Sequence, residues 1–176
     1  MANNYITAEV RAIIGAHTDW IEACHPVQES EVRRFFHATM DSKSRYWDEK
    51  WAVNSRYGVP VAPPAFPVHA FRRPSSDYID PLDTTGDLDF DGVSRVLRSG
   101  LPKVPIALPG IMNGGYLYEF FSYARMGERI QCRSTYSDIY QREGKTGPLV
   151  FVLVEDEYRT GEGRLLIKSI NTNIMR

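Results

Sequence analysis

The chain has 176 residues, 43% of them hydrophobic and 24% charged, with a formal net charge of −1. That length suits one domain with a buried core. A sequence pI near 6.4 offers no basic surface for nucleic acid, no apolar run approaches the ~20 residues of a membrane span, and the opening MANNYITAEVRAIIG does not read as a signal peptide.

In chain order, ITAEVRAIIG reads as a helix, with Val10, Ile13 and Ile14 on one face, Thr7 as its N-cap and Gly15 as its stop. Trp20 begins an imperfect alternation in DWIEACHPV, expected as the first strand. ESEVRRFFHATM is helical, its acids suiting the N-terminus and Val32, Phe35, Phe36 and Met40 its apolar face. DEKWAVNSRYG predicts a short helix ending at Gly58. After a double proline, AFPVHAFRR is expected to be helical with Pro64 in its first turn.

Residues 72–110 are rich in Pro, Gly, Ser and Asp and have no period. They read as an excursion from the core, either a passive insertion or a lid over a binding site. From residue 111 the chain turns aromatic and β-branched, broken by REGKTGP and RTGEGR, which predicts a meander of long antiparallel strands. In VFVLVEDEY, Val150, Val152 and Val154 alternate with Phe151 and Leu153, as in a strand covered on both faces. Helices first and strands after predict an α+β fold, a sheet wrapped around a central helix, in a single domain over 1–176.

The chemistry-bearing residues are sparse. Cys24 and Cys132 fit neither a CxxC metal site nor a disulfide framework and read as free thiols, so a cytoplasmic protein is expected. None of His17, His25, His37 and His69 has a second ligand at metal-binding spacing, so no metal is expected. No GxSxG, Walker A or dinucleotide fingerprint occurs. Gly114–Gly115 marks a strand bulge or a place where a ligand nears the backbone. Asp41 stands at a helix-to-loop junction, in a loop that is either catalytic or a plain connection.

Two long stretches carry a resemblance. EVRRFFHATMD with YWDEKWAVNSRYGVPVAPPAFP, and later MNGGYLYEFFSYARMGERIQCRSTYSDIYQREGKTGPLVFVLVEDEYR, resemble the MaoC-like, or FAS1-like, dehydratase domain over about residues 10–176. More narrowly, they resemble the N-terminal, non-catalytic half of double hot-dog (R)-specific enoyl-thioester hydratases. The resemblance implies a hot-dog fold, a curved antiparallel sheet around one long helix at about residues 64–73.

Catalytic members of that family carry an Asp-x-Asn-Pro-x-His loop and a His-Gly pair at the start of the central helix. The Asp and His handle the water and its proton, and the Gly amide binds the thioester oxygen as it gains enolate character. Here the loop is DSKSRY. Asp41 keeps the acid position, Lys43 and Ser44 replace Asn-Pro, and Tyr46 stands in place of the histidine. Aligned without gaps, the His-Gly pair falls on Pro63 and Pro64. Tyrosine, with a pKa near 10, is a poor base, and proline has no amide hydrogen to donate.

The resemblance therefore implies an accessory subunit of an acyl-thioester hydratase or dehydratase, with a catalytic MaoC-like hot-dog partner. The substrate is a coenzyme A or acyl-carrier-protein thioester, with no further cofactor. The apolar C-terminal strands point to a partner independently, since such an edge is normally covered. In that reading Phe66 and His69 line the acyl tunnel, Pro64 begins the central helix, and Gly114, Gly115 and Tyr116 approach the substrate. Arg72 and Arg73 meet the coenzyme A phosphates. Two alternatives are a stand-alone hydratase or thioesterase using Asp41, and a non-catalytic homodimer that binds an acyl thioester.

Overall fold

A computed structural model describes residues 4–71 and 97–176. Arg72, Arg73 and most of the 72–110 excursion lie outside the described residues. The chain opens with helix α1 (Ala8–Ala12), where the Thr7 side chain accepts from the Val10 N–H as expected of an N-cap. Strand β1 is only two residues long, Ile21–Glu22. Helix α2 (Glu29–Ala38) buries Val32 and Phe36, with Glu29 and Glu31 in its first turn and His37 in its last.

The end of α2 departs from the expected pattern. Met40 is not on the apolar face; it lies past the helix end, at φ 55 and 91% exposed. Its N–H donates to His37 O and the next N–H, of Asp41, donates to Phe36 O. That pair of bonds is a Schellman closure, with a methionine where glycine is usual. A 3₁₀ turn (Ser44–Tyr46) and helix α3 (Glu49–Val53) follow, the latter capped by the Asp48 side chain on the Trp51 N–H. α3 stops at Val53, short of the predicted Gly58.

Helix α4 spans only Phe66–Ala70. Pro63 and Pro64 stand in the turn before it, and Pro67, not Pro64, occupies its first turn. Phe71 is already extended at φ −62, ψ 113, so the long helix expected at 64–73 is a single turn here. The double proline accounts for the late start. The ring of Pro64 bars Pro63 from helical backbone, which delays the start to Phe66.

Four long strands follow: β2 (Ile111–Phe120), β3 (Ile130–Gly144), β4 (Gly147–Thr160) and β5 (Leu165–Met175). With β1 they form one antiparallel sheet in the order β1-β3-β4-β5-β2. Only β3, β4 and β5 run as a meander; β2 pairs with β5. The C-terminal strand is thus interior, and among the described residues the free long edge is β2.

Period-two alternation on β4 buries Val150, Val152, Val154, Asp156, Tyr158 and Thr160 along one face. Phe151 and Leu153 on the other face are half-buried, so the strand is not covered on both sides as expected. The inner face holds two apolar clusters. One gathers Phe36, Tyr46, Phe66, Ile130, Tyr158 and Ile167 beneath α2 and α4. The other gathers Val10, Leu101, Val104, Tyr136, Val150, Val152 and Met175 beneath α1 and residues 97–108. Each fully buried side chain of this size contributes roughly 1.5–3 kcal/mol.

Candidate functional site

The Schellman closure after α2 delivers Asp41, and the 3₁₀ turn five residues on delivers Tyr46. Tyr46 is 2% exposed, stacked on Phe36 with ring centroids 6.2 Å apart. Its hydroxyl donates to Asp41 Oδ2 at 3.2 Å. Lys43 Nζ donates to the same carboxylate at 3.1 Å. The Lys43 hydrogen bond holds the Asp41 carboxyl below the usual carboxylate range; burial opposes it, and the Tyr46 hydroxyl adds a smaller lowering. Burial and then the Asp41 charge push the Tyr46 phenol up to about 12. The pair is thus an anion that keeps its charge and a phenol that keeps its proton.

Residues 61–66 run beside this loop. Val61 N–H donates to Arg45 O at 3.0 Å, and Ala62 N–H to Ala124 O at 2.8 Å. Past them, the Phe66 N–H is committed to Pro63 O at 2.9 Å, and Pro64 has no hydrogen to give. Of the backbone N–H groups over 61–66, those of Val61, Ala62 and Phe66 are committed and only that of Ala65 has no acceptor among the described residues, so the double proline leaves no adjacent pair of donors for an oxyanion.

A cavity of about 440 Å³ is lined by the α2 residues Glu29, Arg33, Phe36 and His37 together with Ser42, Tyr46 and Trp47. Asp41 does not line it.

The remaining sequence-expected residues separate. Phe66 is fully buried in the core, against Phe35 with ring centroids 5.6 Å apart. His69 leans on Phe35 at 5.2 Å. Gly114 and Gly115 form the expected bulge, with the register shifting between Asn113 and Gly115. A Cβ on Gly114 would meet Thr172 Cγ2 at 2.9 Å, so strand β5, not a ligand, makes the close approach there. Gly115, at φ 115, faces open space, and its N–H donates to Asn113 Oδ1. Tyr116 is 48% exposed on the free strand.

Reasoning from sequence missed the buried ion pair Arg98–Asp156, with Nη2 to Oδ2 at 2.8 Å. One signal was available: Asp156 falls in phase with Val150, Val152 and Val154, the buried positions of β4.

Residues 12–169 match the family described as the FAS1-like dehydratase domain region. The chain belongs to the FAS1-like dehydratase family. Solved structures similar to this FAS1-like dehydratase domain share its hot-dog fold. The ChsH1–ChsH2 complex from Mycobacterium tuberculosis is 18% identical with a TM-score of 0.66, covering 96% of this chain and 87% of that one. The HadBC (3R-hydroxyacyl-ACP dehydratase) complex from the same organism is 17% identical at TM-score 0.57, covering 92% and 96%. The (R)-hydratase from A. caviae involved in PHA biosynthesis is 11% identical at TM-score 0.58, covering 93% and 96%. No curated protein matches the chain. The α+β expectation and the family resemblance both hold. Among the described residues, no helix is long and apolar enough to cross a membrane.

Proposed function

We propose that this FAS1-like dehydratase domain is the accessory, non-catalytic subunit of a MaoC-like acyl-thioester hydratase or dehydratase. A hot-dog partner supplies the catalytic Asp-His pair and the oxyanion donor, while this chain completes the assembly and shapes the acyl tunnel. The observation that carries the reading is the Asp41–Tyr46 pair. A phenol held to about 12 and donating to a carboxylate cannot take a proton from water near neutrality. Pro64, without an N–H, removes a second catalytic part from the same loop system.

The free edge supports a hot-dog partner. Among the described residues, strand β2 exposes Tyr116, Leu117 and Phe120 along an unpaired sheet edge, with exposed Phe121 just past its end, a surface that soluble proteins cover. Two of the similar structures are themselves complexes, ChsH1–ChsH2 and HadBC. The thioester of coenzyme A or acyl-carrier protein is the substrate, and hydration requires no other carrier. Tyr116 and Gly115 on β2 stand nearest the partner in this reading, and the work is done in the cytoplasm.

Co-expression with a MaoC-like protein that retains the intact Asp-x-Asn-Pro-x-His loop tests the reading. A stable 1:1 complex by light scattering is expected. A chain that stays monomeric or forms only homodimers in the presence of every such protein of its own genome would contradict it.

A further inference from the structure

A straight polar row crosses the inner face of the sheet. Ser134, Asp156, Ser169 and Tyr118 stand directly opposite one another on β3, β4, β5 and β2. Directly opposed residues of antiparallel strands share a face. The row falls between the two apolar clusters, with Cys132, Tyr158 and Ile167 on one side and Tyr136, Val154 and Met175 on the other.

One half of the row is closed. Ser134 Oγ donates to Asp156 Oδ1 at 2.6 Å, and Arg98 donates to both Asp156 oxygens through Nε and Nη2. The other half lacks that pairing. Ser169 Oγ is buried and, among the described residues, has no hydrogen-bond partner. Its neighbour Asn171 is committed to Asn113, Gly115 and Asn173. Tyr118, next in the row, lies on the free strand and is 36% exposed. Burial, then Tyr116 and Asp156, raise its pKa while Arg98 lowers it, so the phenol sits within the field of the buried ion pair.

Tyr116, Tyr118 and Phe120 stack in line, at 5.7 and 6.1 Å, as an aromatic ladder along the face of β2 that carries the row. Buried polar atoms in folded proteins are nearly always paired, so an orphan hydroxyl beside an exposed aromatic ladder marks a site that something else fills. The charges in the row are already matched to each other, which leaves a neutral donor and acceptor at its other end.

We propose that Ser169 and Tyr118 form a polar subsite for one neutral oxygen, a hydroxyl or a carbonyl, carried on the otherwise apolar acyl group of the thioester. The inference rests on the acyl-thioester reading above and narrows its substrate class to oxygenated acyl groups.

The test is calorimetric titration of the chain, alone and in its complex with the catalytic partner. The ligands are dodecanoyl-CoA and a set of hydroxydodecanoyl-CoA isomers whose hydroxyl lies beyond C3, because a 3-hydroxyl is what hydration itself installs. At least one isomer should bind about tenfold tighter than the parent, the scale of one well-made hydrogen bond. Ser169→Ala should abolish that advantage and leave dodecanoyl-CoA binding unchanged, and Tyr118→Phe should reduce it. Equal binding of all isomers, or an advantage that survives Ser169→Ala, overturns the subsite. Failure of dodecanoyl-CoA itself to bind in either preparation would overturn the acyl-thioester reading, and the subsite with it.

Discussion

The Tyr46 hydroxyl donates to Asp41 Oδ2 at 3.2 Å, five residues apart along the loop that follows α2. The bond satisfies both partners and leaves neither with a proton to exchange near neutral pH. Tyrosine absorbance makes this checkable. An ionisation present in the wild type and missing in Tyr46→Phe should appear only near pH 12. Because the phenol's pKa rises from 10.0 to about 12 on folding, its contribution to stability is complete below pH 10 and is lost as the pH climbs toward 12. A Tyr46-dependent ionisation near pH 7 would contradict the account.

Met40 holds left-handed backbone at φ 55 with its side chain in solvent, so it bears backbone strain without a packing return. Met40→Gly should stabilise the chain by about 0.5–1 kcal/mol in urea unfolding. A loss of stability would show that the methionine makes a contact the assembly uses.

The Arg98–Asp156 pair ties residue 98 to the middle of β4, with the Asp156 side chain only 4% exposed. Arg98→Met strands a buried carboxylate and should cost about 3 kcal/mol. Adding Asp156→Asn should return part of that loss, since the uncompensated charge goes with it. Equal stability of wild type and Arg98→Met would mean the pair contributes nothing.

Gly114 has no room for a methyl group against Thr172 and Ile174. Gly114→Ala should therefore destabilise by roughly 1–3 kcal/mol, through overpacking at the bulge. Denaturant titration measures it, and a neutral result would mean the bulge repacks.

Leu117 and Phe120 are exposed on the free strand, so replacing both with lysine should change monomer stability by no more than about 0.5 kcal/mol. In light scattering the same double variant should fail to form the complex, since edge lysines block strand addition. Complex formation by the variant would place the partner elsewhere.

Local chemistry was legible in the sequence where neighbours decide it. Thr7 caps α1, the acids of ESE open α2, and Gly114–Gly115 breaks the β2 register, each as its residues dictate. Long-range facts were not legible. Met40 has the helical spacing of Val32 and Phe36, but the helix ends at Ala38, before that spacing applies. YLYEFF reads as part of the strand meander, but nothing local says that β2 closes the sheet's edge and leaves those rings half in solvent. The row from Ser134 to Tyr118 depends on the register of three strand pairs. Arg98 meets Asp156 across 58 residues. At the candidate site, the substitution of Tyr46 was visible at once, but the bond that locks it to Asp41 was not.

Hydration of crotonyl-CoA, followed by loss of the enoyl-thioester absorbance, tests the central claim most directly. The account predicts no turnover by the purified chain, turnover by its mixture with the catalytic MaoC-like partner, and no effect of Asp41→Asn in this chain on that mixture. Turnover by the chain alone, abolished by Asp41→Asn, would contradict it and make the Asp41–Tyr46 pair a working active site.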